Sequence, residues 1–490
     1  VLALDIGTSS TRAMLFDRAG RAVEGIDARQ TNAIEVGLDG AFETGPEALL
    51  EQVFTCIDEC LARAGAGLPG ARLTGAIQAV CGCTFVSNVM GVDGQGRAVT
   101  PLVLYGDTRA APQAAALRAL LDETDFHQRT GTRFHASYLP ARLLWWQQEK
   151  PEEFQQAARW ITFGEYLLAR LFGEAAASTS VASWTGLLER TTLDWDEALL
   201  RSLPVEREGL SRLVDASFSW RGLRSDFARR WPALADIPWF PPIGDGAAAN
   251  LGSGCTSPAR VAISMGTSSA VRTVIEGPGG TLPPGLWCYR VDRRRSLLGG
   301  AMTEGGSVYA WLKRTLNLEG IEDLDAALAA MEPNAHGLTF LPLISGERSP
   351  GWVSEARGVL SGISIATTPL DLLRAGLEGV ACRIALVYGL LRPALPANSQ
   401  IIASGGAIQN APAWQQILAD ALNRPVHLSR VPETSTRGAA LLALETLGAI
   451  EDLADLPDFS ELAAEPIPER QAQYQELISR LRLLYEKVIQ

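Results

Sequence analysis

The chain has 490 residues, of which 47% are hydrophobic and 20% charged, and a formal net charge of −12. That is a globular composition on a chain too long for one core, so two or more domains are expected. The acidic balance runs along the whole chain without forming a tail; it disfavours nucleic acid or an anionic membrane surface as the main partner and leaves a small anionic substrate open.

In chain order, residues 1–30 predict a meander. Leu2, Leu4 and Ile6 alternate, a small polar turn follows at Gly7–Ser10, and a turn at Arg18-Ala19-Gly20 leads into a third strand. Residues 46–64 predict an amphipathic helix. Its apolar stripe holds Cys56 and Cys60 at i, i+4 spacing, which reads as core. Residues 72–101 predict further strands with a turn at Asp93–Gly96, and 109–122, 138–149, 151–158 and 163–172 have helical periodicity. Trp231 to Pro242, rich in proline and aromatics, has neither period and divides an expected domain 1–242 from a second at 243–490. The second half restarts with strands at 259–275 and 285–300 and a helix at 305–316. A strand at Gln400–Ala403 then precedes a small-residue loop, Ser404–Ala407. Helices are expected at 411–422, 434–447 and 467–489. No run of about 18 uncharged apolar residues predicts a membrane span, and the first residues read as a strand, not a signal segment. Seven cysteines without a CxxC pair read as reduced thiols in the cytoplasm. Four scattered histidines give no pattern for zinc or a catalytic triad.

The tetrapeptide Gly-Thr-Ser-Ser occurs twice, at Gly7–Ser10 and Gly266–Ser269, each time between alternating apolar runs. A hairpin turn of Gly, Thr and Ser lets backbone N–H groups and hydroxyls converge on one spot, which suits phosphate. Two such turns in two similar halves would clamp a polyphosphate; as structure alone they are ordinary hairpin turns. Asp245, between two glycines at a strand-to-helix turn, reads either as a helix cap or as a base for a substrate hydroxyl. Asp5, at the end of an apolar strand beside the first turn, reads either as a turn closer or as a carboxylate facing Mg²⁺. The second copy has Ser264 in its place.

The segments LALDIGTSSTRAMLFD, TGTRFHASYLPARLLWW, IGDGAAANLGSG, SMGTSSAVR, GLTFLPLISGERSPGW and ASGGAIQNAPAWQQILADALNRPV, in this order, resemble the FGGY family of carbohydrate kinases, its gluconate-kinase branch most of all. The resemblance implies an α/β fold of two ribonuclease-H-like, actin-like ATPase domains flanking a deep cleft. It also implies transfer of the ATP γ-phosphoryl group to a hydroxyl of a sugar, polyol or sugar acid. By position it implies Asp245 as the catalytic base and Asp5 and Asp245 as Mg²⁺ carboxylates acting through water. Thr8, Ser9, Arg12, Gly266 and Thr267 fall in the phosphate loops, and Gly306, Gly406 and Asn410 on the nucleotide. On the sugar side it implies Ser87, Asn88, Asp107, Arg109 and Ser137. Ser87 stands where many relatives carry histidine, and Arg142 where lysine is usual; Asp107 and Arg109 read either as contacts to substrate hydroxyls and a substrate carboxylate or as a local salt bridge at a helix start. Gluconate is the favoured substrate, with xylulose or another pentulose or polyol as the alternative and ATP with Mg²⁺ as cofactors. A homodimer stays open. An actin-like ATPase of the chaperone or filament class would lack GERSP and the sugar-side segments, and a non-catalytic sugar-binding regulator need not keep Asp5, Thr8, Asp245 and Thr267.

Overall fold

A computed structural model describes residues 1–67, 75–457 and 459–489. The first residues of the strand run expected from 72, residues 72–74, lie outside the described residues.

The alternating start forms β1 (Leu2–Ile6), β2 (Ser10–Phe16) and β3 (Ala22–Thr31), joined by β4 (Val80–Thr84) and β5 (Ile243–Gly244) in the order β5-β4-β1-β2-β3. The pairs β1/β2 and β2/β3 are antiparallel, β1/β4 and β4/β5 parallel. Helix α1 (Pro46–Gly67) lays its stripe on one face; Val53, Cys56, Ile57 and Cys60 are fully buried there. The second half repeats this plan. Strands β6 (Arg260–Met265), β7 (Ser269–Glu276), β8 (Trp287–Arg290), β9 (Arg295–Met302), β10 (Gln400–Ser404), β11 (Val426–Ser429) and β12 (Ser460–Ala464) lie in the order β8-β9-β7-β6-β10-β11-β12. Its central run β9-β7-β6-β10-β11 has the same antiparallel and parallel pairings as the first sheet.

Helix α2 (Phe163–Phe172) lies where its periodicity places it; Thr162 and Glu165 form a capping box at its start and Gly173, at φ 82°, ends it. The other expected helices are seen at Ala111–Leu120, Leu139–Glu149, Pro151–Gln156 and Pro412–Leu422. Glu123–Thr130 adds a helix the periodicity did not reveal. In the second half α3 (Asp245–Gly252), α4 (Gly306–Thr315), α5 (Pro369–Leu391), α6 (Thr434–Thr446) and α7 (Gln471–Val488) complete the layers. Helix α5 is absent from the sequence reading because it is apolar nearly all round. It starts at a capping box, Thr368 with Asp371, and Pro369 takes the first helical position.

The two halves meet where α3 crosses α6. Ala247, Ala248 and Leu251 pack against Ala439, Ala440 and Leu441, in one buried cluster with Ala3, Cys81 and Cys83 of the first sheet. The expected division at 242/243 falls one strand early: β5 belongs to the first sheet. The aromatic run before it is also no free linker, because Trp231 and Trp239 are buried in the first core with Phe54. Among the described residues no helix is long and apolar enough to cross a membrane.

Candidate active site

Each Gly-Thr-Ser-Ser turn joins the two central strands of its sheet. In the first, the Gly7 N–H donates to the Ser10 carbonyl at 3.0 Å; in the second, the Gly266 N–H donates to the Ser268 carbonyl at 2.9 Å. A cavity of about 340 Å³ lies between them, lined by Thr8 of the first turn and Ser268 and Ser269 of the second. Asp245, Ser87 and Ser137 line it too. These residues come from distant parts of the chain, and the fold brings them to one place.

Asp245 is the first residue of α3, and its Oδ1 accepts the Gly246 N–H at 2.7 Å. Burial, then the nearby charge of Asp5, push its carboxyl up to about 6, against the pull of that N–H and of Arg272. Such a group is ionised at neutral pH yet basic enough to take a proton. Asp5 is raised as well, by burial first, although Cys83 Sγ donates to its Oδ1 at 3.3 Å and Arg12 sits opposite it across the hairpin. Two buried carboxylates, one of which raises the proton affinity of the other, with oxygen as their only donor atoms, fit a hard divalent cation that keeps most of its waters. Among the described residues no three His, Cys, Asp or Glu side chains gather as a metal cage.

The residues expected on the nucleotide side lie on loops near the second turn. The Gly306 and Ser307 N–H groups at the start of α4 donate to the Gly266 and Thr267 carbonyls at 2.8 and 3.0 Å. A Cβ on Gly306 would lie 2.7 Å from the Gly266 carbonyl oxygen, and one on Gly405, at φ 102°, 2.4 Å from the Met265 carbonyl oxygen. Glycine is what allows both loops to lie on the second turn. Gly406 and Asn410, both exposed, begin and cap the short helix Gly406–Gln409.

Other expected contacts are placed differently. Arg12 forms an ion pair with Glu433, just before α6, and Ser9 is exposed and does not line the cavity. Asn88 is fully buried, its amide holding the Phe85 carbonyl and the Phe163 N–H, so it supports the cavity wall and does not line the cavity. Asp107 accepts from the Phe42 N–H and from Arg109, and Arg109 pairs with Glu43 and Asp107 over the Trp145 ring. Both are satisfied within the first domain, which is the local salt-bridge alternative and not the substrate-carboxylate one. Arg142 is buried and donates to the Ala136, Ser87 and Leu104 carbonyls, a three-way fork no lysine could reproduce.

The lining residues that the sequence reading missed include Trp184, Trp287, Arg272 and Arg348. Trp184, from the first half, stacks on Tyr289 of the second with ring centroids 3.6 Å apart. Arg272 donates to the Gly246 carbonyl at 3.2 Å and to Ser264 Oγ at 2.8 Å. Its alternation with Ala270 on β7, on the cavity side of the second turn, was the available signal.

Two ribonuclease-H-like sheets facing one cleft, each offering a small polar turn, define an actin-like phosphotransferase architecture. Residues 1–252 match the N-terminal domain, and residues 261–446 the C-terminal domain, of the FGGY family of carbohydrate kinases. The chain belongs to that family and is a sugar kinase. It is 27% identical to the gluconokinase of Bacillus subtilis (strain 168), over 98% of this chain and 94% of that protein. It is 26% identical to the xylulose kinase of Escherichia coli (strain K12), over 100% and 99%. The solved gluconate kinase of Lactobacillus acidophilus superposes with a TM-score of 0.89 at 25% identity, covering 100% of this chain and 98% of that one.

Proposed function

We propose that this chain phosphorylates a hydroxyl of a small sugar acid, gluconate first, using ATP and Mg²⁺. The observation that carries the reading is Asp245, on the cavity between the two turns, with its proton affinity raised to about 6. In this reading Asp245 takes the proton of the attacking hydroxyl, and Thr8 and Thr267 cradle the phosphates with their N–H and O–H groups on the turns that Gly7 and Gly266 open. Asp5 and Asp245 would hold Mg²⁺ through its waters; when bound, it supplies positive charge against the phosphate oxygens. The two halves, hinged at the α3/α6 crossing, shut out bulk water as the sugar and nucleotide bind. Gluconate is supported by the relatives that carry that name and by the arginines of the cavity; the E. coli relative keeps xylulose as the second reading.

The deciding experiment is ADP release across a panel of D-gluconate, other aldonates, D-xylulose, xylitol and glycerol. A higher kcat/KM for gluconate than for xylulose is expected. The reverse order would move the assignment to a pentulose, and ATP turnover that no sugar stimulates would reject both.

Gly406→Val tests the nucleotide side. A Cβ at Gly406 meets nothing within 4 Å, so the fold tolerates it, while the added methyls project into the space assigned to adenosine. KM for ATP is expected to rise about tenfold, an overpacking of roughly 1–2 kcal/mol, with an unchanged thermal midpoint. Unaltered ATP affinity would remove Gly406 from the nucleotide site.

A further inference from the structure

On the side of the first half, two serines line the cavity, Ser87 and Ser137, and both are buried. A serine hydroxyl has one proton to donate and two lone pairs to accept with, so the place its proton goes decides what it offers a ligand. Ser87 donates to the Trp184 carbonyl at 3.0 Å, a group that can only accept. Its backbone, at φ 54°, lies in the left-handed region, and Arg142 Nη1 holds its carbonyl, so the residue is fixed on two sides.

Ser137 is wired to a histidine. Its Oγ lies 2.8 Å from His135 Nδ1, and its backbone N–H donates to the same nitrogen at 3.2 Å. The N–H can only donate, so Nδ1 accepts, the ring carries its hydrogen on Nε2, and the Ser137 hydroxyl donates to Nδ1 as well. Burial first, then the charges of Arg348, Arg118 and Arg142, push His135 down to about 3, so the ring is neutral and Nδ1 is open to donors at neutral pH. The ring stands edge-on to Tyr138 of the first half, with centroids 6.3 Å apart, and to Trp352 of the second, at 6.1 Å. Both serine protons are thus engaged inside the protein, and the two oxygens keep only the capacity to accept. Such a wall receives O–H donors. A carboxylate or carbonyl oxygen would bring a further acceptor against it and leave both sides unpaired.

We propose that Ser87 and Ser137 form an acceptor pair for substrate hydroxyls, and that His135 is the positioning residue that makes Ser137 an acceptor. This rests on the sugar site proposed above and holds for an aldonate and a pentulose alike. It orients either one: a hydroxyl-bearing part of the substrate lies against this wall, and its carboxylate or ketone group lies elsewhere in the cavity.

The first test reads the wild-type chain labelled with ¹⁵N-histidine, by a spectrum that correlates ring nitrogens with ring protons. The signal that His135→Asn removes should be that of a neutral ring with its hydrogen on Nε2 at pH 7.5; a hydrogen on Nδ1, or a charged ring, would overturn the proposal. The second test is kinetic, on whichever sugar the panel above selects. Ser87→Ala and Ser137→Ala should each lower kcat/KM for the sugar about tenfold and leave KM for ATP unchanged. His135→Phe keeps a planar ring and removes the acceptor, and about the same tenfold loss is expected. His135→Asn sets an amide oxygen where Nδ1 stood and should stay within about threefold of the wild type. In a Ser137→Ala background, His135→Phe should cost no more than about a further twofold, because the hydroxyl it positions is gone. A full loss in that background, or equal losses in the Asn and Phe variants, would make His135 a packing residue and overturn its assignment. The tautomer decides the matter if the Phe variant does not fold. A wild type that turns over no sugar would reject the sugar site, and the acceptor pair with it, whatever the tautomer.

Discussion

Asp245→Asn is expected to lower kcat for sugar phosphorylation by about 10²–10⁴-fold while KM for ATP stays within a few-fold, as loss of a general base requires. The substitution removes one oxygen's basicity and little else, since Asn can still accept the Gly246 N–H that now reaches Oδ1. Two further readouts separate a base from a structural acid. The wild-type kcat/KM for the sugar should fall about tenfold per pH unit below about 6, where the free enzyme's Asp245 takes up its proton. The stability consequence has the opposite sense to activity. The folded chain raises this carboxyl from an ordinary 3.8 to about 6, so the stability linked to its proton is fully present below 3.8 and is lost as pH rises through about 6. At pH 7.5 the neutral Asn relieves that burden, and the thermal midpoint of Asp245→Asn should lie above that of the wild type, by the equivalent of at most about 3 kcal/mol. A variant with near-normal turnover would remove Asp245 from the base role, and an inactive variant with a lowered midpoint would point to a packing defect instead.

The second large effect is expected at the crossing of α3 and α6. A Cβ on Gly438 would lie 1.8 Å from the Ala248 carbonyl oxygen, and one on Gly252 1.8 Å from the Thr434 carbonyl oxygen. These are backbone atoms of helices, which cannot swing aside as a side chain could. Gly438→Val must therefore force the helices apart, at an overpacking cost of roughly 1–3 kcal/mol or more. Asp245 begins one helix, and Glu433, which holds Arg12, directly precedes the other, so both ends of the site shift together. Activity on every sugar should collapse and the thermal midpoint should drop. Gly389→Ala in α5 is the control. Its Cβ meets nothing within 4 Å, and it should leave activity alone and add about 0.5–1 kcal/mol through helix propensity. If Gly438→Val melted like the wild type, the crossing would be looser than these distances require.

Local patterns carried much of this architecture. Alternation placed β1, β2, β6 and β7, and the repeated turn correctly announced two halves of one plan, because a hairpin is encoded by neighbours in sequence. Features set by tertiary contact were not legible. Helix α5 buries its charged residues, Arg374 and Glu378 as an ion pair, so no solvent-facing polar stripe marks it, and β5 is two residues long and exists only through its pairing with β4. At the site, Asp5, Thr8 and Asp245 could be read from the turns they occupy. Whether Arg109 faces a substrate or a neighbour could not be read, because the answer lies in its company: Glu43 and Asp107, one of them distant in sequence, hold it.

The stacking of Trp184 on Tyr289 has a spectroscopic consequence. Of twelve tryptophans, Trp184 and Trp287 line the cavity, with ring centroids 5.4 Å apart at 47° to each other. One belongs to each half of the chain, so any relative rotation of the halves changes both the overlap of the indoles and the polarity around them. The protein thereby carries its own fluorophore pair across the cleft, and sugar binding can be followed by intrinsic emission in unlabelled protein, independently of turnover.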